Sequence, residues 1–195
     1  MNPWRDAPTL VGRHVTLRPL LPEDRDALVA AAAGLTDLFY ANVSNLSDPD
    51  AFMSATFRER DFGRAMPFAV EAPDGRVVGL TRFMRMSEAH RRLEIGGTFY
   101  AREAQSTGIN TEAKRLLLQH AFEAMGCNVV QIRTDWFNRT SQKAIERLGA
   151  KRDGVLRAHQ VMNGRVRDIV VYSIIACEWP GVRANLDHLL QKGAR

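Results

Sequence analysis

The sequence predicts an α/β fold, a mixed and mainly antiparallel twisted sheet flanked by helices, and three observations carry that reading. Period-2 and period-3.6 hydrophobic patterns alternate along the chain. Three strand-like runs follow one another between Met66 and Phe99. A strand, a short polar loop, an amphipathic helix and another strand then succeed each other between Leu93 and Asp135. A meander gives antiparallel pairs and a strand–helix–strand crossover gives a parallel one, so the sheet should hold both.

Taken in order, His14 to Pro19 reads as a first strand. Pro22-Glu23-Asp24 opens a helix, its acidic residues facing the positive end of the helix dipole, and the alanine-rich run to Ala33 carries it to a stop at Gly34. Asp48 is the expected N-cap and Pro49 the first residue of a second helix reaching about Phe62. The meander comprises Pro67 to Glu71, Val77 to Met86 and Leu93 to Phe99, with Pro73-Asp74-Gly75 turning the first pair. Thr111 to Met125 is the strongest helix, because Ala113, Leu116, Leu117, His120, Ala121 and Ala124 form one apolar stripe ending at Gly126. Val129 to Asp135 reads as a strand and Ser141 to Leu148 as a short helix closed by Gly149. Gly154 to Met162 and Arg165 to Ile175 form a hairpin over Asn163-Gly164. After Glu178-Trp179-Pro180, the spacing of Val182, Leu186, Leu189 and Leu190 predicts a final helix.

With 195 residues, 45% hydrophobic and 25% charged, the chain fits one globular domain over 1–195, with a core over about 12–178 and the last helix over 180–192. The net charge of +5 favours anionic partners, but the basic residues are scattered and form no stripe interleaved with aromatics. A phosphate-bearing cofactor satisfies that charge, and a nucleic-acid role is ranked low. Cys127 and Cys177 lie far apart without a CxxC or His/Cys cluster, so neither a metal site nor a disulfide framework is expected. Neither a signal-like segment nor eighteen consecutive apolar residues occurs, so the expected location is cytoplasmic, with no membrane partner.

The chemistry concentrates after Leu93. A strand feeding the loop Gln105-Ser106-Thr107-Gly108-Ile109-Asn110-Thr111 into a helix is suited to bind an anion, through backbone N–H groups and the helix N-terminus, with Gly108 permitting close approach. Asn110 or Thr111 would cap the helix. The local chemistry alone fits a plain capped helix equally well, and the loop matches neither GxGxxG nor GxxxxGK[ST].

The run Glu94 to Ala124 resembles the central segment of the GCN5-related N-acetyltransferases, whose Gln/Arg-x-x-Gly-x-Gly/Ala loop holds the pyrophosphate of acetyl-CoA. Gln105 and Gly108 match that loop, and Asn110 departs from its last position. Asn138 to Ser141 with Leu148-Gly149-Ala150, Gly154 to Arg157, and Asp168 to Pro180 resemble the RimJ/RimL-like branch, which acetylates ribosomal-protein N-termini. The resemblance spans most of residues 12–190. It implies a sheet with splayed central strands, and an enzyme moving an acetyl group from acetyl-CoA to a primary amine by direct attack in a ternary complex. The acceptor would be a peptide N-terminus or, as the alternative, a small molecule such as an antibiotic, polyamine or amino acid; a non-catalytic acyl-CoA-binding protein is a further alternative. A homodimer is also expected, with the leucine-bearing last helix offering a contact.

By that resemblance the strand ending Thr98-Phe99-Tyr100 pairs with the pantetheine arm, and Gly96-Gly97 is where a bulge would open the strands. Glu94 is the candidate general base, acting directly or through water with its basicity raised by partial burial; the competing reading is a salt bridge to Arg91 or Arg92. Asn138 would bond the pantetheine arm or cap the short helix, and Ser141 would reach the sulfur and relay a proton to it. Tyr172 and Tyr40 are lesser candidates for the acid. His120 reads as packed, while His159 would line the acceptor site or be solvated. Leu38-Phe39-Tyr40 would wall the acceptor site, and Asp37 or Glu71 would attract a cationic amine.

Overall fold

The computed structural model describes residues 2–35 and 46–192. Its strands are β1 (Leu10–Val11), β2 (Thr16–Pro19), β3 (Met66–Glu71), β4 (Val77–Ser87), β5 (Arg92–Tyr100), β6 (Val129–Asp135), β7 (Lys151–Met162) and β8 (Arg165–Ile175). Among the described residues they form one eight-stranded sheet in the order β1-β2-β3-β4-β5-β6-β8-β7. Every neighbouring pair is antiparallel except β5 with β6. The parallel pair is the one bridged by a helix, as the crossover requires.

The helices are α1 (Arg25–Ala32), α2 (Pro49–Asp61), α3 (Ile109–Gln119), α4 (Arg139–Leu148) and α5 (Trp179–Lys192). Strand alternation assigns them to faces. Leu28 of α1 and Met53 of α2 pack with Leu20, Ala69 and Leu80. Ala113, Leu117 and Leu118 of α3, with Val182 and Leu186 of α5, join Phe83, Leu93, Ile95 and Val130 in the larger cluster. Leu80 and Phe83 stand three residues apart on β4 and so face opposite ways, which separates an α1/α2 face from an α3 face.

Asp48 caps α2 as expected, accepting from the Ala51 N–H at 3.0 Å, with Pro49 as the first helical residue. Asn163 and Gly164 both take positive φ, 51 and 75, as a tight Asn-Gly hairpin turn demands. The short β1 was not expected from the sequence; two residues are too few for a periodic pattern. Three expectations are corrected. The N-cap of α3 is Gly108, in left-handed conformation at φ 92, and neither Asn110 nor Thr111 caps it, because both lie inside the first turn. Regular α-helix ends at Gln119, and a π turn over His120–Ala124 completes the element. The last helix starts at Trp179, placing Pro180 in its first turn, where a missing N–H costs nothing. Val182 and Leu186 are buried and Leu189 packs on the same cluster, so this helix commits its apolar side to the chain's own core.

Candidate functional site

The site begins where the sheet comes apart. β5 and β6 pair only at Arg92↔Val129, Leu93↔Val130 and Glu94↔Gln131, whereas β6 and β8 pair over all seven residues from Val129 to Asp135. From Ile95 onward the β5 edge facing β6 has no partner strand among the described residues. On its other side β5 slips against β4: Arg82 faces Gly96 and Leu80 faces Phe99, one residue more on β5 than on β4. The extra residue is accommodated at Gly97, whose φ of 58 suits glycine. The glycine pair therefore marks the bulge as the sequence predicted, and the sheet carries the splayed strands the resemblance implied. A cavity of ≈ 740 Å³ runs through the opening.

On the α3 face the cavity is lined by Thr98, Tyr100, Gln105, Ser106, Thr107, Gly108, Asn110 and Thr111, and Phe99, opposite Leu80, lines it from the other face. Ser106 at φ 63 and Gly108 at φ 92 turn the loop back so that it feeds the start of α3. The Gln105 side chain donates to the Tyr100 carbonyl at 3.1 Å and the Thr107 hydroxyl to the Ala104 carbonyl at 2.7 Å, which fix the loop from within. Ile109 differs from its neighbours: its side chain turns into the core, leaving only its backbone for the cavity. The Tyr100 hydroxyl is buried without a hydrogen-bond partner among the described residues, and burial raises its pKa.

Asn138 caps α4, its side-chain oxygen accepting from the Ser141 N–H at 3.0 Å, and both residues line the cavity. Arg147, one helical face further on, donates to the Thr111 hydroxyl at 3.3 Å and brings a cation to the loop. His14 lies across Gly108 and lines the same wall. Buried Glu112 holds that segment in place by accepting the backbone N–H groups of Arg13 and Val15, each at 3.0 Å, together with that of His14. Gly12 makes this possible, since a Cβ there would stand 2.4 Å from the Glu112 carboxylate.

On β4, β5 and β6, Arg82, Glu94 and Arg133 alternate with Phe83, Leu93, Ile95 and Ile132 of the α3-side core, so they project from the opposite, α1/α2 face. Glu94 is buried and ion-paired, its Oε2 at 2.6 Å from Arg85 and 3.2 Å from Arg133. The expected partners Arg91 and Arg92 are not the ones found; Arg85 reaches the carboxylate from an irregular stretch of β4 at φ 48. Asp135 pairs likewise with Arg165 at 2.5 Å and Arg167 at 3.0 Å.

The remaining candidates separate clearly. Tyr172 is fully buried and donates to Glu146 at 2.9 Å, outside the cavity lining. His120 stacks on Phe83 in the core, where burial lowers its pKa. His159 is exposed on β7 and does not line the cavity, whereas its neighbour Gln160 does. Glu71 pairs with Arg18 at 2.6 Å. Asp37 and Leu38-Phe39-Tyr40 lie outside the described residues. No group of three or more His, Cys, Asp or Glu side chains that could hold a metal ion occurs among those described, and none of the described helices is long and apolar enough to cross a membrane.

Lys114 escaped the sequence reading. It is buried on α3, and its Nζ donates to the Thr98 hydroxyl at 2.8 Å, which in turn lies 2.8 Å from that of Thr81. Burial pushes its pKa down to about 7. The signal was available: Lys114 precedes Leu117, Leu118 and Ala121 by three, four and seven residues and so sits on the apolar stripe. His14, Glu112, Arg147 and the arginines of β4, β6 and β8 gave no comparable local signal.

Known proteins share this fold. Residues 14–151 match the family model described as an acetyltransferase (GNAT) domain. A curated Bacillus subtilis (strain 168) protein, YdaF, which bears the name of a ribosomal N-acetyltransferase, is 30% identical over 88% of this chain and 96% of its own. The crystal structure of a GCN5-related N-acetyltransferase from Brucella melitensis superposes with a TM-score of 0.84 at 26% identity, covering 95% of this chain and 86% of that one. Mycobacterium smegmatis RimJ, solved with CoA-disulfide, shares the fold with a TM-score of 0.78 at 24% identity over 96% of both chains.

Proposed function

The chain belongs to the GCN5-related N-acetyltransferase (GNAT) family, and from that premise we propose that this acyltransferase is of the RimJ/RimL-like branch, takes its acetyl group from acetyl-CoA and passes it to a primary amine in a ternary complex. The observation that carries the reading is the opening between β5 and β6, which joins an anion-binding loop on one face to a buried carboxylate, Glu94, on the other. A donor held from the α3 face and an amine arriving from the α1/α2 face would meet there without crossing each other. Peptide N-termini are the preferred acceptor class, supported by the name of YdaF.

The residues present fit the donor. Backbone N–H groups of 106–111, the N-terminus of α3 and Arg147 suit a pyrophosphate. The unpartnered edge of β5 at Thr98, Phe99 and Tyr100, with the Asn138 amide across the cavity, offers both donors and acceptors to an arm built of amides. Peptide N–H groups of β5 turned into the opening can stabilise the oxygen on which charge develops. Glu94 takes the proton from the attacking amine, directly or through a water, by Oε1, since Oε2 is held by Arg85 and Arg133. Ser141 hydrogen-bonds the departing sulfur and relays to it a proton drawn from solvent, while the amine's proton leaves by Glu94.

Calorimetric titration with acetyl-CoA, followed by thiol release against peptide N-termini and small amines, tests the reading. Binding with turnover on any amine is the expected result. Absence of acetyl-CoA binding would remove the 105–111 assignment.

A further inference from the structure

The acceptor end of the cavity is cationic. Among the described residues it is lined on the α1/α2 face by four guanidiniums, those of Arg82, Arg85, Arg133 and Arg167, against two carboxylates, Glu94 and Asp135. Both carboxylates are already engaged: Glu94 is shared by Arg85 and Arg133, and Asp135 takes Arg167 together with Arg165. Each carboxylate thus meets two cations, and the Arg82 side chain is left with no hydrogen bond or ion pair to any described residue. Its Nε is buried and unsatisfied. Its guanidinium lies over Gly97, where an added Cβ would stand only 2.3 Å from Nε, so the group is held at the bulge that opens the strands. Burial lowers its pKa and the nearest carboxylates, Glu59 and Glu94, only partly oppose that.

A guanidinium beside a substrate cavity whose buried Nε–H has no acceptor is costly unless something anionic arrives to meet it. A polyamine or aminoglycoside would add positive charge to this excess, which a low-dielectric cavity penalises. Acetyl-CoA's phosphates belong with the loop on the opposite face. Arg82 stands opposite Gly96, two residues along β5 from Glu94. That offset is roughly 6.5 Å along a strand, about the span from an amine to a side-chain carboxylate one residue away.

We infer that the acceptor is an amine that also carries a carboxylate, which Arg82 receives as a bidentate partner while the amine lies at Glu94. An acidic side chain close to a peptide N-terminus and a free dicarboxylic amino acid share this chemistry. The inference rests on the acetyltransferase reading above and narrows its acceptor, with Arg82 as the residue that sets specificity.

The test is thiol release from acetyl-CoA with three C-terminally amidated peptides differing only at positions two and three, beginning Ser-Glu-Glu, Ser-Gln-Gln and Ser-Lys-Lys, together with free glutamate and spermidine. The acidic peptide or glutamate should exceed the neutral peptide in kcat/KM by about tenfold or more, the scale of one charge-assisted bidentate contact, and the two arms tell the sources apart. Arg82→Gln should erase that preference chiefly through KM, and Arg82→Lys should restore part of it. Equal or better turnover of the neutral or cationic acceptors overturns the inference while leaving the acetyltransferase reading intact, as does an Arg82→Gln loss that is the same for every acceptor. Acetyl-CoA binding without turnover of either carboxylate-bearing acceptor also overturns it. Failure of acetyl-CoA to bind at all counts against the reading beneath it. Should Arg82→Gln fold poorly, the salt dependence of the acidic-to-neutral ratio in the unmodified protein replaces it: the ratio should shrink as ionic strength rises, and a constant ratio overturns the inference.

Discussion

The two faces of the β5–β6 opening are built by different means. On the α3 face the cavity wall is largely backbone: Ser106 and Gly108 at positive φ, a helix start, and a strand edge without a partner. On the α1/α2 face it is side chain: Glu94, Arg82, Arg85, Arg133 and Arg167 from four different strands, with Asp135 beside them. A phosphate or an amide chain can be met by peptide dipoles that any sequence supplies, provided the chain can turn sharply. A reacting amine needs a proton acceptor at one place, so that face depends on particular residues held by their neighbours.

The contrast is broken most severely at Glu94. Glu94→Gln keeps the shape and loses proton acceptance, so kcat at neutral pH should fall by about 100-fold or more, while acetyl-CoA titrates as before. Because a free amine no longer needs the base, the deficit should shrink as pH rises through the acceptor's own pKa. A pH–rate profile measures this. A loss of equal size at every pH would make Glu94 an anchor for Arg85 and Arg133, and not the proton acceptor.

The same contrast explains what the sequence could say. The α3-face loop was legible because its parts are consecutive and carry local signatures: a strand, a glycine, an amphipathic helix. The paired glycines likewise located the bulge. Asn110 and Thr111 were misread as caps because Gly108, in left-handed conformation, already ends the loop, and a backbone cap leaves no side-chain signal. The other face was legible only at Glu94. Arg82 and Arg167 lie 85 positions apart in the chain and share a cavity only through the strand order, which brings β8 beside β6. Arg85 defeats reading by alternation altogether, since the register shift between Met84 and Ser87 breaks the parity on which that reading depends.

Lys114 sharpens the comparison from the α3 side, as a buried lysine without a carboxylate partner among the described residues. Its folded pKa of about 7 lies below the ordinary lysine value of 10.5. Between those limits the unfolded chain carries a proton the folded chain lacks, so this group makes stability rise with pH from about 7 towards 10.5. Below that window the folded state bears the whole cost of a buried charge. Lys114→Met should remove this dependence and raise stability at pH 7 by about 1–3 kcal/mol, because Thr81 and Thr98 remain bonded to each other. Urea unfolding of both proteins at intervals from pH 7 to pH 10 reads it out. Parallel curves would mean that Lys114 stays charged when buried.

The smallest effect is expected at Ser141, where the two kinds of construction meet. Its backbone N–H belongs to the α4 cap through Asn138, and only its hydroxyl is left for the proposed contact with the leaving sulfur. Ser141→Ala keeps the cap, so folding and acetyl-CoA affinity should hold, while kcat falls about three- to tenfold, at the weak end of general acid catalysis. A thiolate with a pKa of about 8.5 leaves unaided in alkaline solution, so the deficit should close above that pH. Single-turnover rates set beside calorimetric affinity at two pH values decide it: matched losses in rate and affinity would assign the hydroxyl to holding the donor, and a loss in rate alone that disappears at high pH would assign it to the proton.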